Sequence, residues 1–403
     1  NLGPNNRGVN YVPRLFRNAP GLHFIGRIHE QIHAAIIVLM ENWGMVQKMG
    51  KTLILHHGYQ KDIMERKGKI KRNLELYEDT IDELPNEPSI LMNYAVDLSH
   101  DGQSQKANQT FREAFGILAS YDSKFVISEV REQIIVLYGK FLVKEEKYTE
   151  LIEVMSSSTA KDTGPTASIH YMYGIGLMNK GEFGKATIEL QAAIEKADKP
   201  SLTAEIPELK TSKPLSLLAY CHAALGENSK ADLLYNKTVE EFKHCADTFH
   251  NYAKFKHKQG NSKAAMEVLI NGIRKGFNEQ KIWELGCGIV NSDPELGELA
   301  QNWTEEALKF YPKSDVVNVR RGEALMKNGL FTEAIPHFER LSKRGDLMAK
   351  SARLICMQAT QSTFSNKDIQ DAQQLRPSIQ GWLKVLKKAP CQLDENLMRE
   401  WLD

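Results

Sequence analysis

Residues 93–114 read N-Y-A-V-D-L-S-H-D-G-Q-S-Q-K-A-N-Q-T-F-R-E-A, and their spacing decides the fold. From the small residue Ala95 it is seven positions to Gly102, five more to Ala107, four to Phe111 and three to Ala114. The same count runs through Gly174, Gly181, Ala186, Leu190 and Ala193, and through Gly322, Gly329, Ala334 and Phe338, with Leu341 closing. Ala219, Gly226, Ala231, Tyr235, Thr238 and Ala253, Gly260, Ala265, Leu269, Gly272 follow with small substitutions. Small residues at a fixed spacing let two antiparallel helices approach. The glycine permits a left-handed helix end, and the large residue fills the gap against the next unit.

This is the tetratricopeptide pattern, and the chain resembles that class of repeat from about residue 86. Two further units are degenerate. One lies around Gly139, with Glu146 in the glycine place; the other runs from Gly286 to Ala307 around an inserted Asn291-Ser292-Asp293-Pro294 turn. Tyr311-Pro312 ends a helix as units of this class often do. Seven helical pairs are expected over 86–345. Residues 346–403 read as a helical cap, with Trp382 and Trp401 closing the last open face.

The first sixty residues read differently. Val9 to Phe16 and Leu22 to Ile28 are apolar, aromatic and branched runs separated by Asn18-Ala19-Pro20-Gly21, a turn signal at the place a hairpin needs one. Lys51 to His56 adds a third candidate strand. Three strands alone leave unpaired edges and an uncovered apolar face, so a further segment is expected on the N-terminal side. The chain begins at Asn1, in the loop-like stretch N-L-G-P-N-N, and has no D-x-D motif.

Arg14-Leu15-Phe16-Arg17-Asn18, then Gly26-Arg27-Ile28-His29-Glu30, then His56-His57-Gly58-Tyr59 and Lys69-Ile70-Lys71-Arg72-Asn73-Leu74 stand in the order seen at the end of a glycosyltransferase family 2 catalytic domain. The chain resembles the C-terminal part of such a bacterial enzyme fused to tetratricopeptide repeats. The fold class this implies is mainly α: a helical solenoid preceded by a small β-rich remnant of a GT-A α/β domain. The remnant spans 1–61, a linking helix 62–85, the repeats 86–345 and the cap 346–403.

The same resemblance implies transfer of a sugar from a nucleotide-sugar to an acceptor, a protein or peptide among the candidates. His29 and Glu30 would then face the acceptor, with the carboxylate available as a base; a structural pair bonded to loop backbone is the competing reading. His56, ahead of His57, would hold a divalent metal, manganese or magnesium, in the full-length parent. Arg14 and Arg17 point to opposite faces of an extended strand, so one of them can reach substrate, and Tyr59 belongs to the same substrate-facing loop. The chain alone, without the nucleotide-binding half, is expected to need no cofactor and to be inactive.

In the repeats, Asn93 and Asn251 recur two residues before the first small position, where an amide can hold the backbone of a bound peptide. Two instances in seven units carry little weight, and chance or local capping is the better explanation of them. The alternative function is therefore a non-catalytic scaffold that binds protein or peptide.

Composition limits the rest. A net charge of +1, from 52 basic and 51 acidic residues, gives no field for nucleic acid or membrane. The one basic cluster, Arg66, Lys67, Lys69, Lys71 and Arg72, reads as a solvated helix face or as an anion contact. The five cysteines are scattered and form no C-x-x-C, which points to free thiols in a reducing, cytoplasmic setting. The longest apolar run, Ala34 to Met40, is far too short for a membrane span, and no transmembrane segment is expected.

Overall fold

The computed structural model describes residues 69–375, apart from 123–125, 127, 198–205 and 243–244, together with scattered positions between 16 and 48. Helices follow one another as α1 (Lys69–Glu83), α2 (Pro88–His100), α3 (Ser104–Ser120), α4 (Ser128–Lys144), α5 (Tyr148–Ser156), the single turn α6 (Ser158–Asp162), α7 (Ala167–Asn179), α8 (Phe183–Lys196), α9 (Lys213–Ala224) and α10 (Asn228–Glu241). Then come α11 (Ala246–Lys258), α12 (Ser262–Arg274), α13 (Gln280–Ser292), α14 (Gly297–Phe310), α15 (Asp315–Lys327), α16 (Phe331–Lys343), α17 (Leu347–Ala359) and α18 (Asn366–Gln374). The chain divides into two compact units, 1–238 and 239–403.

Six of the pairs close in the same way, whereas the first helix of the α13–α14 pair ends at extended Asp293. Gly102 takes φ +83°, and the amide of Gln103 donates back to the Leu98 carbonyl at 2.9 Å. This is the left-handed helix end that satisfies an orphan carbonyl. The closure recurs at Gly181, Gly226, Gly260 and Gly329, and at Glu146, which adopts φ +56° where its counterparts are glycine. Lys147 there donates to Leu142 at 2.9 Å.

Within a pair, the small residue is where the second helix comes closest. A Cβ added at Gly322 would lie 2.4 Å from the Phe338 ring, at Gly286 2.4 Å from Trp303, and at Gly174 2.8 Å from Leu190. Within each unit the second helix of a pair also contacts the first helix of the next, and successive first helices touch one another. In the first unit α2, α4, α7 and α9 therefore form one layer. In the second, α11, α13, α15 and α17 form another.

The first unit's core holds a ring cluster, with Phe111 stacked on Tyr138 at 5.3 Å and tilted against Phe141 at 5.0 Å. In the second unit Trp283 and Trp303 pack at 4.8 Å, and the Trp303 indole donates to the Trp283 carbonyl at 3.2 Å. The stretch read as a cap supplies a further helix pair, α17 and α18, which contact one another; Trp382 and Trp401 lie outside the described residues.

The β-rich remnant needs correction for the residues that can be seen. Among the described residues there is no strand. Phe16, Leu22, Phe24 and Ile28, assigned above to two strands, have irregular backbone, and the third stretch, 51–56, lies outside the described residues. The turn itself is present: Leu22 donates to Ala19 at 3.2 Å with Gly21 at φ +87°. On either side of it, Phe16 and Phe24 meet edge to face at 6.3 Å. Ile28 packs partly buried against the helical core.

Candidate functional site

Arg14, Arg17, His29, Glu30, His56, His57 and Tyr59 lie outside the described residues. Of the glycosyltransferase-like motif, the helix Lys69 to Leu74 is visible as the start of α1. Its Asn73 is buried and donates through Nδ2 to Asp97 Oδ2 of α2 at 3.0 Å. Further along α1, Tyr77 packs on Tyr94 at 5.8 Å, and Tyr94 donates to Glu78 at 2.8 Å. This segment docks a helix onto the repeats.

The layers of first helices are the surfaces with side chains to offer. Asn93 lies on α2 in the first unit and Asn251 on α11 in the second, both half-buried. His250 Nδ1 lies 3.3 Å from Asn251 Oδ1. Burial pushes the His250 imidazole below its ordinary 6.5, against the weaker upward pull of the Asn251 bond, and Lys254 and Lys281 add to the lowering.

From there a polar seam crosses the second unit's layer. Asp247 pairs with Lys281. Gln280 and Ser314 both donate to Glu284 Oε1 at 2.6 Å, and Arg320 pairs with Glu323 at 2.7 Å. Asn291 Nδ2 donates to the Arg320 carbonyl at 2.8 Å while Lys327 donates to the Asn291 carbonyl. Charges of both signs are paired along this face. Among the described residues no group of three or more His, Cys, Asp or Glu is placed to hold a metal, and no helix is long and apolar enough to cross a membrane.

The first unit's layer is built differently. Val136 and Lys140 of α4, Tyr171, Ile175 and Met178 of α7, and Leu217 of α9 stand at helical spacing in its apolar surface. A 3-10 turn, Pro207–Lys210, lies against α7 and α9. Ile206, just before it, is 1% exposed and belongs to the unit's core. Glu208 sits 3.9 Å from Lys213 and close enough to Lys140 and Tyr171 to raise the basicity of both. Burial nevertheless dominates at Lys140 and lowers its ammonium.

Lys140, Tyr171 and the 206–210 segment escaped the sequence reading. The signal was a spacing: from Ala193 to Ala219 is 26 residues, whereas Thr238 to Ala253 is 15. The surplus includes the 3-10 turn Pro207–Lys210.

No family model and no curated protein matches the chain. Among solved structures it is similar to YrrB, described as a TPR protein with an unusual peptide-binding site, at 19% identity and TM-score 0.38, covering 53% of this chain and 98% of that one. A tetratricopeptide repeat protein from Parabacteroides merdae is similar at 13% identity and TM-score 0.46, covering 67% and 99%. The C-terminal part of a TPR repeat-containing protein from Cytophaga hutchinsonii is similar at 16% identity and TM-score 0.45, covering 66% and 99%.

Proposed function

We propose that the chain is a repeat scaffold that binds an extended segment of another protein along its first-helix layers. The observation that carries this reading is the seam from Asp247 to Lys327, where amides and paired charges of both signs line one continuous helix layer. Such a surface can exchange its hydrogen bonds for those of a peptide backbone and select side chains by charge.

A phage-displayed random peptide library selected on the full chain tests it. Enriched peptides are expected to share a consensus. Their affinity should fall about tenfold or more with Asn251→Ala or Lys254→Glu, a loss of about 1.4 kcal/mol, and stay unchanged with Lys309→Ala on a second helix. No enrichment, or peptides indifferent to every first-helix substitution, would overturn the reading.

A second reading is favoured by the ordered motif between Arg14 and Leu74: the chain is the tail of a glycosyltransferase whose solenoid recruits the acceptor. The gene sequence upstream of Asn1 is expected to encode a segment with a strand-terminal D-x-D. In that extended protein, with manganese or magnesium supplied, Glu30→Gln should lower turnover more than donor binding, and His56→Ala should weaken metal-dependent donor binding. Purified residues 1–403 should neither transfer nor hydrolyse any nucleotide-sugar. Activity of this chain, or wild-type behaviour of both variants, would remove it.

A further inference from the structure

Asp247, Lys281, Val316 and Met348 are the second residues of α11, α13, α15 and α17, and the layer changes character along them. Asp247 and Lys281 pair with one another. Val316 and Met348 are aliphatic, yet they are 45% and 51% exposed. A single aliphatic side chain in water is ordinary. The same place left apolar and open on two first helices that touch one another offers a continuous strip of area to a partner.

The helices of this layer keep a fixed register. Ser314, at the start of α15, donates to Glu284 at 2.6 Å, and Asn291 Nδ2 donates to the Arg320 carbonyl at 2.8 Å. Both bonds run in the same sense along the two helices, so α13 and α15 are parallel and Val316 stands level with the turn between Glu284 and Gly288. A Cβ built on Gly288 meets nothing within 4 Å. The surface therefore dips beside an exposed valine, where another chain can approach closely. On α11 the residue that corresponds to Gly288, seven after the second position, is Lys254, and it is exposed. Asp247, on the same stripe of that helix, is engaged by Lys281, which leaves the Lys254 ammonium for a ligand.

We propose that the second unit's layer binds an extended segment of a partner protein that carries two aliphatic residues about three positions apart and an acidic residue about six positions beyond the second. The first aliphatic side chain covers Met348, the second enters the dip between Gly288 and Val316, and the carboxylate pairs with Lys254. The spacing follows from helices packed about 9 Å apart and an extended chain that advances about 3.3 Å per residue, so about three residues cross each helix. This inference rests on the scaffold reading above and specifies its ligand for the second unit.

The peptide library selected on the full chain supplies the probe. Enriched sequences are expected to share this spacing, in either chain direction. A fluorescent form of the most enriched peptide should bind Val316→Glu and Met348→Glu at least about tenfold more weakly than wild type. Ile188→Glu, at a side chain 68% exposed on α8 of the first unit, should leave its affinity unchanged. Both new glutamates of the second unit stand in the first turn of a helix, where a carboxylate suits the helix dipole, so the fold is kept. Gly288→Gln fills the dip and should weaken binding about tenfold while the urea midpoint stays at or above that of wild type. The same peptide with lysine for its acidic residue should bind Lys254→Glu better than it binds wild type.

Met348 gives a second answer without any variant. Its thioether is open to peroxide, and saturating peptide should slow sulfoxide formation there, read by peptide mass, while Met178 in the first unit keeps its own rate. Unchanged oxidation of Met348, a consensus without the spaced aliphatic pair, or affinity indifferent to both Val316→Glu and Met348→Glu would overturn the proposal. So would a dimer of the chain that these two variants abolish and that binds no peptide, because the strip would then belong to a second copy. Peptides that depend on Asn251 but not on Val316 or Met348 would sink this proposal and leave the scaffold reading standing. No enrichment at all would remove both.

Discussion

Two glycines on neighbouring helices separate packing from conformational freedom. At Gly322 an added methyl meets the Phe338 ring at 2.4, 2.7 and 2.9 Å, whereas at Gly288, inside α13, nothing lies within 4 Å. Gly322→Ala is expected to destabilise the second unit by about 1–3 kcal/mol through overpacking. Gly288→Ala should stabilise it by about 0.5–1 kcal/mol through lost chain entropy. Urea unfolding of both variants checks the opposite signs. Glu146 is the converse case, a side chain held at φ +56°. Glu146→Gly should gain up to about 1 kcal/mol, because the left-handed conformation costs a non-glycine residue about 1–2 kcal/mol. That site was legible beforehand: the repeat count put Glu146 where its counterparts have glycine. His250 and His337 carry a pH effect. Burial pushes both imidazoles below 6.5, so on acidification the unfolded chain takes up these protons first. Stability of the second unit should fall as pH drops below about 6.5. A His250→Gln, His337→Gln variant should lose that part of the slope in melts run from pH 8 to 5.

At the scale of the element, what could be read from sequence was what the contact between two helices demands. Ala95 against Phe111 or Gly322 against Phe338 is a steric requirement that recurs at fixed spacing, so the helix pairs were visible in the letters. The 3-10 turn Pro207–Lys210 was not, because Ile206-Pro207-Glu208 carries ordinary turn chemistry and the residues that feel its Glu208, Lys140 and Tyr171, lie far off in the chain. The strand reading of residues 9–28 rested on two apolar, aromatic and branched runs on either side of a turn signal. Among the described residues the turn is present and Phe16 and Phe24 meet across it, without a strand. Helix α18 shows how an apolar count misleads at the chain's far end. It is among the most polar helices here, yet it is fastened by Lys350 to Asp371 at 2.7 Å, both largely buried, and by Arg353 to Asp368. Asp371→Leu leaves the Lys350 charge buried without its partner and should cost about 3–5 kcal/mol at that contact. The expected readout is early proteolytic loss of α18, with Lys350→Met added to restore resistance.

At the scale of the whole molecule, stability in a repeat array is a sum of local pair and neighbour terms. The two compact units, divided at Thr238 and Val239, have separate cores. Gly322→Ala should therefore speed hydrogen exchange in α13 to α16 while leaving α3 to α8 at wild-type rates. Uniform acceleration through both units would mean that the chain opens as one.

The buried cysteines give that local opening a chemical clock. Cys221, Cys287 and Cys356 are each fully buried, with burial pushing the thiols up to about 11, 12 and 12. Alkylation requires the thiolate and access to it, so each sulfur should react with iodoacetamide only during the moments its own helix pair is apart. Labelling rates at the three positions, followed by peptide mass, would then time the breathing of α9, α13 and α17 in the native chain, one repeat at a time and without a single engineered probe.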